Sequence, residues 1–211
     1  MEHLEDKNEN KEEIKEDREE LYQGVGGFFM EIIKIFILAI IVILPIRMFL
    51  FQPFFVQGAS MEPNFEDGQY LIVNEFGYKE TDLKVAKIDS FKEMTRGEVI
   101  VFRYPLNPKQ FFIKRVIGLP GERITVENGE IHIYNKENPN GFKLEESYLP
   151  QGLTTKGSKD YSVKEDEYYV MGDNRNHSSD SRMWGPIRSK DVVGRVLLRA
   201  WPISDAKLFV D

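Results

Sequence analysis

A single long apolar stretch dominates the organisation of this chain. It runs from Phe28 to Phe51, and its few charged residues lie toward its two ends. An α-helix rises about 1.5 Å per residue, so roughly 20 residues cross the hydrocarbon of a bilayer. Residues 28–51 are therefore predicted to form one transmembrane helix, which separates a tail, residues 1–27, from a larger body, residues 52–211.

This stretch is interpreted as an anchor rather than as a cleaved secretory signal. A long acidic tail precedes it, and no small-x-small cleavage pattern follows it within residues 48–56. Five Lys and Arg residues lie before or at its entrance, whereas none follows Arg47 until Lys79. Because positive charge favours the cytoplasmic side, we expect a cytoplasmic N-terminus and an extracytoplasmic body at the cell membrane.

Charge and cysteine content exclude several classes of function. Residues 1–23 hold ten acidic and four basic side chains, which account for most of the net charge of −7. The body is nearly neutral and has no Lys/Arg-dense stripe, so nucleic acid is excluded as a partner. Cysteine is absent, which excludes disulfides, thiolate metal sites and cysteine nucleophiles.

The body predicts a mainly β domain, a twisted and partly closed antiparallel sheet. Apolar and β-branched runs alternate there with turn residues. Asn128-Gly129 separates two alternating segments and supplies the positive φ angles of a two-residue hairpin turn. Residues 135–167 are polar and resemble an insertion or a long connection more than core. The predicted strands are Gln69–Glu75, Glu98–Tyr104, Phe111–Ile117, Arg123–Glu127, Ile131–Tyr134, Tyr168–Met171 and Val192–Trp201.

Two polar residues in apolar surroundings are candidates for chemistry. Ser60 stands nine residues beyond the predicted span, between Gly58-Ala59 and Met61-Glu62-Pro63. A serine so placed is either a turn or N-cap residue or a nucleophile near the membrane surface. Lys114 interrupts an apolar strand. Burial there would lower its pKa and make it a general base, although an outward, snorkelling lysine fits the pattern equally well.

A dense polar loop follows the strand Tyr168–Met171. It packs three Ser, two Asp and two Arg residues into residues 172–182, between an aromatic strand and a Met-Trp-Gly-Pro segment. Several of these side chains could cap their own turns. The apolar flanks indicate that the loop is held against the core, which is typical of loops that serve a site.

Together these segments resemble the bacterial type I signal peptidases, the S26 family of serine/lysine proteases. The resemblance covers roughly residues 30–203 and its motifs are specific. They are S-M-x-P at 60–63, R-G-E-V-I-V-F at 96–102, I-K-R-x-x-G-L-P-G-E at 113–122 and G-D-N-R-x-x-S-x-D-S-R at 172–182. The chain lacks the large extra β insertion of some Gram-negative members, and so resembles the compact form of the family found in Gram-positive bacteria.

The resemblance implies a role for each matching residue. Ser60 becomes the nucleophile, and neutral Lys114 takes its proton, with no metal or cofactor. Ser178 would hydrogen-bond the lysine amine and Asp180 would support that loop, while Asp173 and Arg115 would pair to hold the lysine strand against it. The backbone N–H of Ser60 would bind the oxyanion. Gly58 stands where some relatives have a second, serine donor, and Asn176 and His177 stand where Asp and Asn are common.

The resemblance also implies the substrates, which are preproteins that carry signal peptides. Their small residues, usually Ala, one and three positions before the cut would enter shallow pockets. The cleavage segment would add as a strand beside residues 54–58 and 110–113. Membrane lipid would contact Phe51, Pro53, Phe54 and Phe55. The predicted pocket residues are Phe54, Val56, Met61 and Ile113.

Three other interpretations remain at this point. A Ser-His-Asp protease would use His177 or His132 as base, with Asp173 or Asp180 orienting it. A non-enzymatic protein would be either a membrane-tethered β-rich module that presents a groove to a partner, or an inactive relative that binds signal peptides without cutting them. A self-cleaving repressor would share the serine/lysine chemistry, but the predicted span and the lack of a DNA-binding domain disfavour it.

Overall fold

A computed structural model of the chain describes residues 27–44, 50–78, 81–82, 87–88, 90–157 and 160–209. The chain divides into two units, Met1–Met48 and Phe49–Asp211. The predicted acidic tail lies outside the described residues, apart from Gly27, as do residues 45–49 of the predicted span.

The first unit contains helix α1, Gly27–Leu44, which is long and apolar enough to cross a membrane. Its 18 residues have a mean hydropathy of 2.6, and none of them is buried. Phe51, predicted as the last residue of the span, instead begins a strand. Apolar residues suit a strand as well as a helix, so hydropathy alone does not mark this boundary.

The second unit is built almost entirely of antiparallel strands, which confirms the predicted mainly β class. The Asn128-Gly129 turn has φ angles of 52° and 84°, as the predicted hairpin requires. The elements are β1 Phe51–Phe55, β2 Tyr70–Asn74, β3 Thr81–Asp82, β4 Lys87–Ile88, β5 Val99–Tyr104, β6 Asn107–Gly118, β7 Arg123–Glu127, β8 Glu130–Tyr134, β9 Phe142–Lys143, β10 Asp160–Ser162, β11 Glu167–Met171, α2 Ser181–Trp184, β12 Ile187–Arg188, β13 Val192–Trp201 and β14 Lys207–Leu208.

The main sheet has the strand order β1-β2-β13-β5-β6-β11-β12, and β14 also pairs with β13. In a flat sheet, β1 and β6 would lie roughly 19 Å apart, because three strands separate them. The rings of Phe54 on β1 and Phe111 on β6 nevertheless pack with their centroids 5.5 Å apart. The sheet therefore curls strongly, and its curvature brings β1 and β6 to the two sides of one groove.

A second sheet, β10-β7-β8-β9, packs on the far end of the main sheet. Its inward side chains and those of β6 and β11 form one of three buried clusters. The prediction that residues 135–167 lie outside the core is wrong at Val163, which is 4% exposed and belongs to this cluster. The cluster beneath the groove consists of Val56, Met61, Phe65, Leu71, Val73, Val99, Val101, Val193 and Val196.

Candidate active site

Ser60 lies in a turn within the connection between β1 and β2, residues 56–69. The N–H of Phe65 donates to the carbonyl of Met61 at 2.9 Å, and both side chains are almost fully buried. The turn is thus anchored from below, while Ser60 itself remains partly exposed. Residues 61–65, directly after Ser60, form a turn and not a helix, so Ser60 is not an N-cap. Its hydroxyl contacts a side chain from a different strand.

That side chain is Lys114 on β6, which is 3% exposed. Its Nζ lies 2.8 Å from Ser60 Oγ and donates a second hydrogen bond to the carbonyl of Ile113 at 2.7 Å. Nζ also lies 5.3 Å from the centre of the Phe112 ring. Burial lowers the pKa of Lys114 from 10.5 to about 8, against the opposing effect of Asp180 and Asp173. The snorkelling alternative is therefore wrong.

Arg115, next to Lys114 on β6, forms an ion pair with Asp173 through two hydrogen bonds. Arg115 Nε donates to Asp173 Oδ1 at 2.8 Å and Nη2 to Oδ2 at 2.5 Å. The guanidinium also lies 3.9 Å from the centre of the Tyr148 ring. Because Asp173 is fully buried, this pair fixes the lysine strand against the loop of residues 172–182.

Asp180 organises the loop that faces the serine turn. It accepts hydrogen bonds from the N–H of Gly172 at 3.1 Å and from Arg182 Nη2 at 2.7 Å, and it caps helix α2. Burial alone would raise the pKa of Asp180, but the hydrogen bonds from Arg182 and Gly172 outweigh it and lower the pKa. Asp180 thus stays ionised and holds the loop closed.

Gly172 brings the loop into contact with the serine turn. A Cβ on this residue would lie 2.2 Å from Ser178 Oγ and 2.3 Å from the carbonyl oxygen of Ser60. Only glycine fits there, because real Cβ atoms do not approach other atoms so closely. The position predicts that Gly172→Ala would displace one of the two serines.

Ser178 departs from its predicted role. Its Oγ is buried and, within the described residues, forms no hydrogen bond. The predicted bond to Lys114 is absent, because Nζ is directed at Ser60 and at the Ile113 carbonyl. The hydroxyl lies near enough to Asp180 to favour its ionised form, but not with the geometry of a hydrogen bond.

Asn174 also fixes the serine turn, and the sequence did not indicate it. Its N–H donates to the Ser60 carbonyl at 3.1 Å, and its Nδ2 donates to the Ala59 carbonyl at 3.0 Å. The carbonyl groups of Ala59 and Ser60 are thereby both occupied. The Ser60 N–H has no acceptor among the described residues and remains available to a ligand.

The groove between β1 and β6 has a volume of about 550 Å³ and contains Ser60 and Lys114. Phe54, Val56 and Ile113, three of the four predicted pocket residues, line it. Met61 does not, because its side chain points away from the groove into the core beneath it and is fully buried. The groove is also lined by Phe55, Gln57, Leu71, Val101, Gln110, Phe111, Phe112 and Ser179.

A second buried ion pair ties the loop to the segment that was predicted to be an insertion. Arg175, 2% exposed, donates to both carboxylate oxygens of Glu146, to Thr155 Oγ1 at 2.7 Å and to the Gly172 carbonyl at 3.0 Å. Polar composition concealed this role, because a single Glu that reaches a distant Arg leaves no periodic pattern.

Glu146→Gln is expected to lower the free energy of unfolding by roughly 3 kcal/mol, because it leaves the buried Arg175 guanidinium without a carboxylate. Urea denaturation of the full chain in detergent, followed by the fluorescence of its two tryptophans, measures this change. Glu137→Gln makes the same change at an exposed site and should shift stability by under about 0.5 kcal/mol. Equal midpoints for Glu146→Gln and the wild type would contradict the expectation.

Neither histidine of the body contacts Ser60. His177 is exposed, and its Nδ1 lies 3.2 Å from Asn174 Oδ1, while His132 lies on β8 beside Glu130. The Ser-His-Asp alternative therefore has no base in position. Within the described residues, no group of three or more His, Asp or Glu side chains is arranged to hold a metal ion.

Comparisons with known proteins agree on one family. The family described as signal peptidase, peptidase S26, matches residues 29–201. A probable signal peptidase I-2 of Synechocystis is 31% identical over 188 residues, covering 87% of this chain and 78% of the relative. Signal peptidase I of Leptolyngbya laminosa is 35% identical over 183 residues, covering 83% and 81%. Signal peptidase IB of Staphylococcus aureus is 29% identical over 180 residues, covering 80% and 87%.

One solved structure is also similar. A signal peptidase I from Enterococcus faecalis is 30% identical, with a TM-score of 0.42, and the match covers 51% of this chain and 99% of that structure.

Proposed function

The chain belongs to the signal peptidase family, peptidase S26, and we propose that it removes signal peptides from exported preproteins by serine/lysine catalysis. The observation that carries the mechanism is the 2.8 Å contact between Ser60 Oγ and buried Lys114 Nζ. This distance suits proton transfer in either direction. A lowered lysine pKa leaves part of the enzyme with the neutral amine that a general base requires.

The reaction proceeds in two halves. Neutral Lys114 takes the Ser60 proton as Oγ attacks the scissile carbonyl, and the resulting ammonium then protonates the leaving amine of the mature protein. The signal peptide remains as an ester on Ser60. Lys114, neutral again, then removes a proton from water, which attacks the ester, and the resulting ammonium returns that proton to Ser60 Oγ as the ester bond breaks and the signal peptide leaves with a free carboxylate. The free N–H of Ser60 is placed to bind the oxyanion in both halves.

An extended peptide can pair with the backbone on both sides of the groove. Strand β1 pairs only with β2, and residues 107–114 of β6 pair only with β5 in the described part of the chain. Each therefore offers a free strand edge, and a substrate strand between them would satisfy both. Because side chains alternate along a strand, the residues one and three positions before the cut share a face toward Phe54, Val56 and Ile113.

Anchoring by α1 would bring this site to its substrates. Ser60 follows Leu44 by only sixteen residues, so the catalytic unit stays near the bilayer that also holds the apolar segment of a signal peptide. Such tethering raises the effective concentration of signal peptides at the catalytic unit. Phe55, 47% exposed, and its apolar neighbours on β1 are positioned in sequence to contact lipid. We place the N-terminus in the cytoplasm and the catalytic unit outside it.

A preprotein with an Ala-x-Ala cleavage site tests the proposal in detergent or liposomes. The wild-type chain should cut after the second Ala, as mass spectrometry of the product would show. Ala→Trp at position −1 or −3 of the substrate should reduce cleavage by at least about 100-fold, because the shallow pockets cannot hold an indole. Ala or Trp at −2 is the matched control and should be tolerated.

The opposite result favours the binding-module or inactive-relative interpretation. A folded wild-type chain that binds the preprotein but never cuts it would reject peptidase activity. If Trp at −1, −2 and −3 reduced cleavage equally, the strand-addition geometry would be rejected, but the peptidase activity would not.

A further inference from the structure

Asn64 links the serine turn to the lysine strand by a route that does not pass through the Ser60–Lys114 contact. It follows Ser60 by four residues and lies in the same anchored turn. Its Nδ2 donates to Asp173 Oδ2 at 2.9 Å and to the Tyr148 carbonyl at 2.8 Å. Asp173 in turn binds Arg115, the neighbour of Lys114 on β6.

The chemistry of its partners fixes the orientation of this amide. A carbonyl and a carboxylate oxygen can only accept hydrogen bonds, so the NH2 group, not the oxygen, must face them. Both N–H bonds are then used, one for each partner. The backbone of Asn64 is held from the other side, because Arg199 Nη1 on β13 donates to its carbonyl at 2.9 Å.

Neither end of this link can move easily. Asp173 is fully buried, and Phe65, the residue after Asn64, is 1% exposed. The amide thus spans two rigid parts of the protein, one that carries the nucleophile and one that carries the base. Asn64 does not line the groove, so it has no route to act on substrate directly.

We propose that Asn64 is a positioning residue, which sets the distance between the Ser60 hydroxyl and the Lys114 amine by holding the serine turn to Asp173. This inference deepens the proposed function and rests on it. Misplacement of reacting groups by about 1 Å can cost roughly 100-fold in rate. Loss of the link should therefore act on kcat, whereas KM, set by the groove, should change little.

Asn64→Asp is the sharpest test, because it keeps the size of the side chain but places a carboxylate against Asp173 and the Tyr148 carbonyl. The expected result is a kcat about 10- to 100-fold lower with KM within about 3-fold of the wild type. Asn64→Leu, which is similar in size and uncharged, should also lower kcat. Asn140→Asp makes the same change at an exposed loop site and should cut like the wild type.

The titration of Lys114 supplies a readout that does not depend on cleavage. The titration is followed by NMR of the full chain in detergent. The ¹³Cε signal of Lys114 is assigned as the one that is missing from the spectrum of Lys114→Met. Asn64→Asp should raise the pKa of Lys114 above about 8, because it adds negative charge beside Asp173. The carboxylates of Asp180 and Asp173 already raise the pKa of Lys114. Arg115 stays paired with Asp173 in the variant.

Two results would overturn the proposal. One is a folded Asn64→Asp enzyme whose kcat stays within about 2-fold of the wild type. The other is a lower kcat with an earlier urea midpoint and an unchanged Lys114 titration, which is the signature of lost stability alone. A wild type that fails to cut would reject the peptidase function instead. The Lys114 titration in Asn64→Leu, which breaks the link without adding charge, would then decide the link by itself, supporting it if the pKa shifts from about 8 and overturning it if it does not.

Discussion

Lys114→Met is expected to abolish cleavage of an Ala-x-Ala preprotein, and Ser60→Ala to do so as completely, with each rate at least about 1,000-fold below the wild type. In the proposed mechanism the two side chains act as one unit, because the hydroxyl is a weak nucleophile until the amine 2.8 Å away takes its proton. Methionine fills the space of the lysine stem without offering a base. Single-turnover cleavage of a purified preprotein measures both variants.

Matched controls separate this effect from a general one. Lys136→Met and Ser204→Ala make the same changes at exposed positions outside the groove and should retain full activity. Ser60→Ala should still bind the preprotein, since it leaves the groove intact. Cleavage by either Ser60→Ala or Lys114→Met would mean that another residue is the nucleophile or the base.

Lys114→Met should also be more stable than the wild type near pH 7. The folded pKa of about 8 lies below the ordinary 10.5, so the unfolded state binds more protons between these values and wild-type stability rises with pH there. Below pH 8 the full cost of burying the ammonium, about 3 kcal/mol, is present. Methionine removes this cost, so the free energy of unfolding of Lys114→Met should exceed that of the wild type by this amount, and the difference should shrink toward pH 10.5. Such a result would show that the variant is folded.

Much of the fold follows from local patterns in the sequence. The predicted bounds of β7 and β13 agree with the structure, because each has continuous apolar or alternating residues and clear turn residues beside it. The hairpin at Asn128 follows from backbone chemistry alone. Strand β6 begins at Asn107, four residues earlier than predicted, since its first residues are polar and exposed and show no alternation.

Other features depend on contacts that no local pattern reveals. The sequence gives no sign that β13 lies between β2 and β5, or that the sheet curls until Phe54 meets Phe111. Pairs such as Glu146 and Arg175 are 29 residues apart and appear only as ordinary polar residues.

The site shows the same division. Ser60 and Lys114 could be singled out because the motifs around them resemble those of a family, and strand alternation alone left Lys114 undecided between two faces. Met61 was predicted to contact substrate because it adjoins the nucleophile. A tight turn reverses the direction of successive side chains, however, and the buried side chain of Met61 instead supports the turn from below.

The rate of cleavage should depend steeply on pH, because only the neutral amine of Lys114 can act as the base. With a pKa of about 8, roughly half of the enzyme is active at pH 8, about a tenth at pH 7 and about a hundredth at pH 6. Measured kcat/KM should therefore rise about tenfold from pH 6 to pH 7 and about fivefold from pH 7 to pH 8, and then level off, at constant ionic strength and with folding checked by fluorescence at each pH.

The position of this rise tests the physical cause of the lowered pKa. Burial favours the neutral amine, whereas the carboxylates of Asp173 and Asp180 favour the ammonium, and burial outweighs them. A rise centred near 10.5 would mean that water reaches Lys114 in the working enzyme and that the buried conformation is not the active one. A flat profile from pH 6 to pH 9 would mean that no group with a pKa near 8 limits the reaction, which would remove Lys114 from the role of general base.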